Sequence, residues 1–542
     1  MSDARTPWLA VYGDAVAPRI IGSSLNQFFD DAVRRFRDDV ALTAGPRTVT
    51  FGELAEMVDR FAVALDRAGV TKGDRIGLMS PNTIEYVVAF FGSIRVGAVV
   101  TQMNPLYMER ELIHILNDSG ATLLAVDPAV YPKIQQVRDV ASVTRVITTG
   151  VPEGGLADGD VTFDDFIASG DGLAPQTAID PERDLAVLQY TGGTTGRSKG
   201  AMLTHRNLLS AVQPTFDLVI ENPAAFPPNA KAIAVAPFFH IFGMTMVLLA
   251  GLLYGWNLVL VRRFDVRAMM ELIRDEEPAV MAGVATIFTA LQSQPDLEAY
   301  GLDQVLLYLS GGASVPVQLL KNFEKRTGQA IYEGYGMSEG APASFNTYLR
   351  GPVGGSIGVP IPGTDMRVVD MDTGEVEAPY GEPGELTFRG PQVMQGYLNM
   401  PDETASALRD GWLHTGDIAR MRDDGYVFIV DRLKDMVNAG GYSVYPREVE
   451  EVIYELDDVV EVAVFGVPDE YRGETVKAAV VLKSNSILTA DDLAAHCARH
   501  LAAYKVPKLV DFRTSLPKSG AGKVLKRELR RVSAGQSPKH AP

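Results

Sequence analysis

Leu185-Ala186-Val187-Leu188-Gln189-Tyr190-Thr191-Gly192-Gly193-Thr194-Thr195-Gly196-Arg197-Ser198-Lys199-Gly200 is the stretch around which the chain is organised. An apolar strand, Leu185 to Leu188, runs into a glycine- and threonine-rich turn. The loop then passes Lys199 and Gly200 and is predicted to enter a helix near Thr204. Glycines let a backbone turn its N–H groups inward and approach a ligand closely. The hydroxyls of Thr191, Thr194 and Thr195 add donors, Lys199 adds a positive charge, and no carboxylate stands inside the loop. Such a nest of donors suits a polyphosphate. The Walker loop, however, needs Gly directly before Lys and Ser or Thr directly after it. Here Arg197-Ser198 separates Gly196 from Lys199, and Gly200 follows the lysine. On these residues alone, a strand-to-helix turn without a ligand fits as well as a phosphate site.

A chain of 542 residues can bury several large cores. Its 68 acidic and 50 basic side chains leave a formal net charge of −18. That field repels nucleic acid and anionic membrane over most of the surface, so nucleic acid is excluded as a partner and any phosphate must be held by local donors. The single cysteine, Cys497, excludes an intrachain disulfide framework and fits a reducing cytoplasm. In Leu493-Ala494-Ala495-His496-Cys497 it reads as a packed thiol on a helix. The first residues carry no apolar run like that of a signal peptide. Between Lys231 and Arg262 no residue carries a fixed charge, but Pro237, His240, Gly243, Gly251, Gly255 and Asn257 divide the segment. A membrane span wants ~20 continuous apolar residues, so this segment reads as buried core.

Apolar residues recur at helical spacing in Leu25 to Phe36 and in Phe51 to Ala68. Arg75–Met79, Ala121–Val126 and Val143–Thr148 read as strands, and Asn82–Val96 as a buried helix. Strands and helices keep alternating from Ala232 to Tyr332, which argues for parallel, doubly wound α/β layers. From about Gly351 short strands (Met366–Val369, Glu385–Phe388, Tyr426–Val430) alternate with Gly/Pro/Asp turns, the texture of a small antiparallel barrel. After Asp431-Arg432 the pattern is α+β, and Val532 to Pro542 reads as a polar, disordered tail.

Tyr190 to Gly200 resembles the phosphate loop of the adenylate-forming family, which includes acyl-CoA synthetases, adenylation domains and luciferases. Its Thr-Gly-Gly-Thr-Thr-Gly form is most similar to that of bacterial long-chain fatty-acid–CoA ligases. Ser198 stands where proline is common there, which reads as a minor change in stiffness. The resemblance extends along nearly the whole chain, through Asn104-Pro105-Leu106-Tyr107 and Asn117-Asp118-Ser119-Gly120-Ala121. It implies an α/β fold with a large N-terminal domain, residues 1–431, of two doubly wound α/β sheets plus a small β-barrel. A smaller, mobile α+β lid, residues 432–542, follows.

The same resemblance implies roles for individual residues. Thr191, Gly192, Gly193, Thr194, Thr195, Gly196 and Lys199 would hold the phosphates of ATP. Glu333-Gly334-Tyr335-Gly336-Met337-Ser338-Glu339 follows an apolar strand and resembles the second nucleotide motif. There Tyr335 offers a flat surface to adenine, Ser338 replaces a commoner threonine, and Glu339 holds Mg²⁺ opposite the Thr191 hydroxyl. Ser310-Gly311-Gly312-Ala313 adds a close-approach turn, with Gly312 toward the nucleotide and Gly311 toward the acyl group. Trp412 to Asp417 resembles the ribose motif, with Asp417 accepting the ribose hydroxyls. Asp431-Arg432-Leu433-Lys434-Asp435 matches the hinge, Arg432 reaching ribose or phosphate and Lys434 standing at the pivot. Pro517 to Lys523 matches the last motif, in which Lys523 contacts the reacting carboxylate and α-phosphate. Pro237 to Gly243 resembles the acyl-pocket wall, with His240 at its mouth and Ile241 and Val284 lining it. By itself a histidine in so apolar a run fits a satisfied core residue equally well. Phe238 and Phe239 stand where amino-acid-activating relatives carry an aspartate, so an uncharged tail is expected. Gly440 and Gly441 would border the path of the coenzyme A thiol.

These readings converge on ATP-dependent activation of a medium- or long-chain fatty acid through acyl-AMP to acyl-CoA, with AMP and pyrophosphate released. ATP, Mg²⁺ and coenzyme A are the expected cofactors and co-substrates. No transmembrane span is expected, while peripheral membrane contact and a homodimer are compatible with the family. Three rivals share the nucleotide motifs: another carboxylate–CoA ligase (aryl or short-chain), a fatty-acyl-AMP ligase, and a luciferase-like monooxygenase.

Overall fold

Runs of β-branched and aliphatic residues, four to six long, form the strands of two mostly parallel sheets, and the amphipathic segments between them return as helices. The computed structural model describes residues 6–12, 24–191, 198–439, 442–469, 473–519 and 522–533. The seven-stranded sheet runs Val161–Thr162, Arg145–Thr148, Leu123–Val126, Arg75–Met79, Val99–Gln102, Leu185–Tyr190, Gly200–Thr204. Its pairs are parallel except the last, which is antiparallel. The nine-stranded sheet runs Val359–Pro360, Gly340–Phe345, Ile331–Met337, Leu307–Ser310, Val280–Gly283, Lys231–Ala234, Asn257–Leu260, Val40–Ala44, Arg47–Thr50.

The helices follow from local sequence. Phe51–Arg67 starts at Thr50, whose hydroxyl accepts the Glu53 N–H while the Glu53 carboxylate accepts the Thr50 N–H. It buries Leu54, Val58, Phe61 and Leu65 on one stripe. Ile84–Arg95, capped by Thr83, buries every residue but Glu85, as a helix apolar on all sides must. Between Lys231 and Arg262 the helical run Ile241–Gly243, Met244–Leu249 and Ala250–Tyr254 contains a π-helical turn at Met244–Leu249 and lies in the core. Among the described residues no helix is long and apolar enough to cross a membrane.

The antiparallel texture after Gly351 is a five-stranded sheet with an open pairing path. Asp365–Val369, Gly384–Arg389, Trp412–Met421 and Leu408–Arg409 pair in that order, and Val427–Arg432 also pairs with Trp412–Met421. This is the form taken by the expected small barrel. One continuous core joins all three N-terminal sheets. The C-terminal unit has its own cores, around Val449, Ile453, Val464 and Leu493 and around Phe465, Leu516 and Leu529. Cys497 is buried there, and burial pushes its thiol up to about 11, as a packed thiol should behave.

Three expectations are corrected. The phosphate loop does not lead from strand directly to helix. Gly200–Thr204 folds back antiparallel on Leu185–Tyr190, and only then does Thr204 cap a helix, His205–Leu209. The motif beginning at Glu333 does not follow a strand: Glu333 to Met337 are its last residues. The polar end does not begin as a tail at Val532: Val532 and Ser533 close the helix Lys526–Ser533, anchored by fully buried Leu529 and by the Lys526–Glu450 and Arg530–Asp435 ion pairs, and the rest of that stretch, 534–542, lies outside the described residues.

Candidate active site

The neck of the phosphate loop is closed by its own residues. The Thr191 N–H donates to the Lys199 carbonyl at 2.9 Å, and the Ser198 hydroxyl donates to the Thr191 carbonyl. Ser198 is therefore a latch across the neck, more than the change in stiffness expected of it. The strand before the loop is braced by the Tyr190 hydroxyl on Asp118 at 2.6 Å, and the returning backbone, two residues before the next strand, by His114 on the Ser198 carbonyl at 2.7 Å. Gly192, Gly193, Thr194, Thr195 and Gly196 lie outside the described residues, as do Gly440 and Gly441.

A narrow cleft, partly open to solvent, lies between the elements that carry the other predicted site residues. His240, Ile241, Phe242, Thr245 and Met246 form one wall and Gly334, Tyr335, Gly336, Ala341 and Pro342 another, with Gly311 and Gly312 between. Gly312 has a φ of +81°, which a side chain would strain. A Cβ there would stand 3.7 Å from His240 Cε1 and 3.8 Å from Lys523 Cε, so the histidine and the lysine flank one backbone position. Lys523 arrives on a tight loop: the Ser519 N–H donates to the Lys523 carbonyl, and the Gly522 N–H to the Ser519 carbonyl. A Cβ at Gly522 would press on Thr286 Oγ1 at 2.9 Å and Val284 Cγ2 at 3.1 Å. Val284 thus meets the Lys523 loop and is not among the residues lining the cavity. Phe238 is likewise turned away, fully buried against Tyr86 with ring centroids 5.7 Å apart.

Charges around the cavity are shifted by their surroundings. Burial, then Arg432, lowers Lys523 to about 8 against the pull of Asp417 and Glu339. Burial and the Lys523 ammonium lower His240 to about 3, so its imidazole is neutral at physiological pH. The His240 Nδ1 accepts the Phe242 N–H at 3.3 Å, which leaves the proton on Nε2. The Tyr335 hydroxyl donates to Asp417 at 2.6 Å, and Arg432 stands 3.5 Å from the same carboxylate. Tyr335, Asp417 and Arg432 therefore form one edge of the site. Lys434 sits on the turn that follows, its ammonium lowered by burial and by Arg432.

Glu339 is 7% exposed, and burial raises its carboxyl against the Tyr397 hydroxyl, which donates to it at 2.6 Å. The Lys199 ammonium lies 4.8 Å over the Tyr397 ring and pairs with Glu403 at 2.5 Å. Lys199, Tyr397, Glu403 and Glu339 are thus one connected group, of which sequence reasoning missed Tyr397 and Glu403. Ser338 forms the turn beside Glu339, half-buried. A buried carboxylate that accepts a tyrosine hydroxyl is a hard oxygen donor, of the kind that fits Mg²⁺. Glu333 stands apart from the cavity lining. Its carboxylate is buried, accepts the Val315 N–H at 3.2 Å, and is raised by burial to about 7 despite Arg447. It sits where Arg447 and Glu451 of the C-terminal unit dock, the latter accepting the Val317 N–H at 3.1 Å.

The AMP-binding enzyme family matches residues 29–398, and the AMP-binding enzyme C-terminal domain matches residues 448–523. The chain belongs to the AMP-binding enzyme family. It is 37% identical to a long-chain-fatty-acid–CoA ligase of Bacillus subtilis, over 97% of this chain and 98% of that one. It is 41% identical to a long-chain-fatty-acid–CoA ligase of Salmonella typhimurium, over 95% of each. A feruloyl-CoA synthase of Amycolatopsis is 38% identical over 92% of this chain and 97% of its own. Among solved structures, ATP-bound MatB of Rhodopseudomonas palustris superposes with a TM-score of 0.84 at 31% identity, covering 94% of this chain and 98% of that one. Apo MatB gives 0.75.

Proposed function

We propose that this AMP-binding enzyme is a fatty-acid–CoA ligase that forms acyl-AMP and then acyl-CoA. The carrying observation is the meeting of Lys523, His240 and Gly312 at the mouth of a cavity whose wall from Ile241 to Met246 bears no charge. A carboxylate entering with its tail against that wall would meet the His240 Nε2–H as a donor. The Lys523 ammonium would then offset the charge that builds as a carboxylate oxygen attacks the α-phosphate and pyrophosphate leaves. Tyr335 and Asp417 would hold adenine and ribose, with Arg432 beside them. Lys199 would meet the outer phosphates, which implies that it gives up its pairing with Glu403. Glu339, with Thr191, would hold Mg²⁺, which when bound supplies charge neutralisation on the phosphates. In the second step the coenzyme A thiol would attack the acyl carbonyl, displacing AMP.

The division at Asp431/Arg432, with Lys434 at the pivot, is supported by separate hydrophobic cores on either side. The better match to ATP-bound than to apo MatB, together with Lys523 at the cavity, supports a lid resting in its adenylation position. A cytoplasmic site of action is supported by the single, buried cysteine. The feruloyl-CoA synthase relative favours one second reading, an arylpropenoic acid as substrate. The test is AMP release from a panel of carboxylates with and without coenzyme A. Rates that rise from octanoate to longer acids and require the thiol support the fatty-acid reading; ferulate as the best acid replaces it.

A further inference from the structure

The C-terminal unit carries a group of metal-ligating side chains that the adenylation chemistry does not use. The helix Ala490–His500 places His496 and His500 one turn apart, with ring centroids 4.8 Å from each other. Glu455, the residue that ends the helix Pro446–Tyr454, faces them from the neighbouring element. One ligand atom from each of Glu455, His496 and His500 lies within 4.8 Å of the others. The Glu455 Oε2 and His496 Nε2 are 3.1 Å apart. Two ligands on one tetrahedral zinc ion, at bonds of about 2.0–2.1 Å, stand roughly 3.3 Å apart. That pair is therefore already at coordination spacing, and His500, which is exposed, needs only a small side-chain rotation to join it. His496 is pre-positioned: its side chain is 12% exposed and its Nε2 also faces the Val452 carbonyl at 3.1 Å.

We infer that Glu455, His496 and His500 form a zinc-class metal site that ties the end of one lid helix to the next. Two imidazoles and one carboxylate select a borderline transition metal over Mg²⁺ or Ca²⁺, which prefer all-oxygen sets. Binding at Nε2 moves the single ring proton of His496 from Nε2, where it faces Glu455 and the Val452 carbonyl, to Nδ1. Arg499, which donates to that Nδ1 at 3.4 Å, is exposed and would turn to solvent as Nδ1 takes up the proton. Water completes the coordination. The site joins elements within the lid, so a metal that binds only the folded form raises the melting temperature.

The test is calorimetric titration and thermal melting of the full chain with Zn²⁺, with Mg²⁺ as control, for the parent, His500→Ala, His496→Ala/His500→Ala and Glu455→Gln. One Zn²⁺ should bind per chain and raise the melting temperature, and Mg²⁺ should do neither at these residues. Each variant should bind Zn²⁺ at least about tenfold more weakly, as expected for loss of a ligand, and lose the melting shift. His500 and Glu455 are exposed, so their variants keep the fold, which circular dichroism verifies. Absence of Zn²⁺ binding, or parent-like binding and melting in the double variant, overturns the inference.

Discussion

At the scale of single residues, environment decides what each group can do. His240, held neutral by burial and the Lys523 ammonium, can donate from Nε2 across the whole range from pH 5 to 8. His240→Ala should lower the rate of acyl-AMP formation by roughly 10²-fold, the cost of losing one aligned donor. The parent rate should show no histidine titration in that range. Pyrophosphate release against pH measures both, and a parent-like variant removes His240 from the site. Tyr397 is tested through the group it holds. Removing its hydroxyl leaves buried Glu339 short of a donor, at a cost of about 1–3 kcal/mol. Tyr397→Phe should therefore need more Mg²⁺ to reach half-maximal rate, while the fatty-acid KM stays near the parent's. An unchanged Mg²⁺ titration would separate Tyr397 from the metal. Glu333 makes a prediction about stability. Its folded-state value of about 7 lies above the ordinary 4.5, so the folded protein holds a proton that the unfolded chain has lost between those values. The stabilising contribution is complete below pH 4.5 and lost as pH rises through 7. Glu333→Gln, which mimics the protonated form, should melt increasingly above the parent as pH rises from 5 to 8. A pH-independent difference would contradict this.

At the scale of elements, the turn that presents His240 depends on a close approach. Gly243 has ordinary helical angles, but a Cβ there would lie 2.2 Å from the Pro237 carbonyl oxygen, and backbone cannot give way as a side chain end can. Gly243→Ala should therefore cost about 1–3 kcal/mol, as overpacking does, and weaken carboxylate use by shifting His240. Melting and KM for the acid, measured together, check it; a stable variant with parent KM would show that the turn is compliant. Elements such as Phe51–Arg67 were legible in the sequence because one stripe of apolar residues and one capping pair suffice to specify them. The fold-back of Gly200–Thr204 was not, because an intervening turn rich in Gly and Thr leads to helix or strand with equal ease. What settles it is pairing, Tyr190 with Gly200 and Leu188 with Met202. Distance in sequence hid other site residues. Tyr397 reaches Glu339 across 58 positions and Glu403 reaches Lys199 across 204, with no local pattern marking either. Lys523, His240 and Gly312 were legible only as a resemblance; their convergence belongs to the tertiary fold. The helix Lys526–Ser533 carries a single buried anchor, Leu529, too sparse an apolar pattern to show in the sequence that Val532 and Ser533 still belong to it.

At the scale of the whole molecule, two units with separate cores meet across a largely polar contact, where Arg447 donates to the Ile429 carbonyl at 3.0 Å and Glu451 accepts the Val317 N–H. Such a contact can be exchanged for another at small cost, unlike a shared apolar core. Under the proposed function, a lid that turned between two positions would account for Lys523 standing beside Gly312 on a loop of the C-terminal unit. In that reading its charge would be needed while the carboxylate joins the α-phosphate and would have no further task once acyl-AMP exists. Lys523→Ala should nearly abolish acyl-AMP formation, yet convert supplied acyl-AMP and coenzyme A to thioester at close to the parent rate. The pH dependence should divide the same way. Because burial and Arg432 lower Lys523 to about 8, the free enzyme loses the ammonium as pH rises through that value. The kcat/KM for adenylation, which reports groups of the free enzyme, should fall above pH 8. The variant's residual rate should lack that limb. Each half-reaction is to be run separately, on parent and variant, from pH 6 to 10. If the substitution depresses both steps equally, or if the alkaline limb survives without Lys523, the lysine acts through stability and the lid does not alternate as its docking implies.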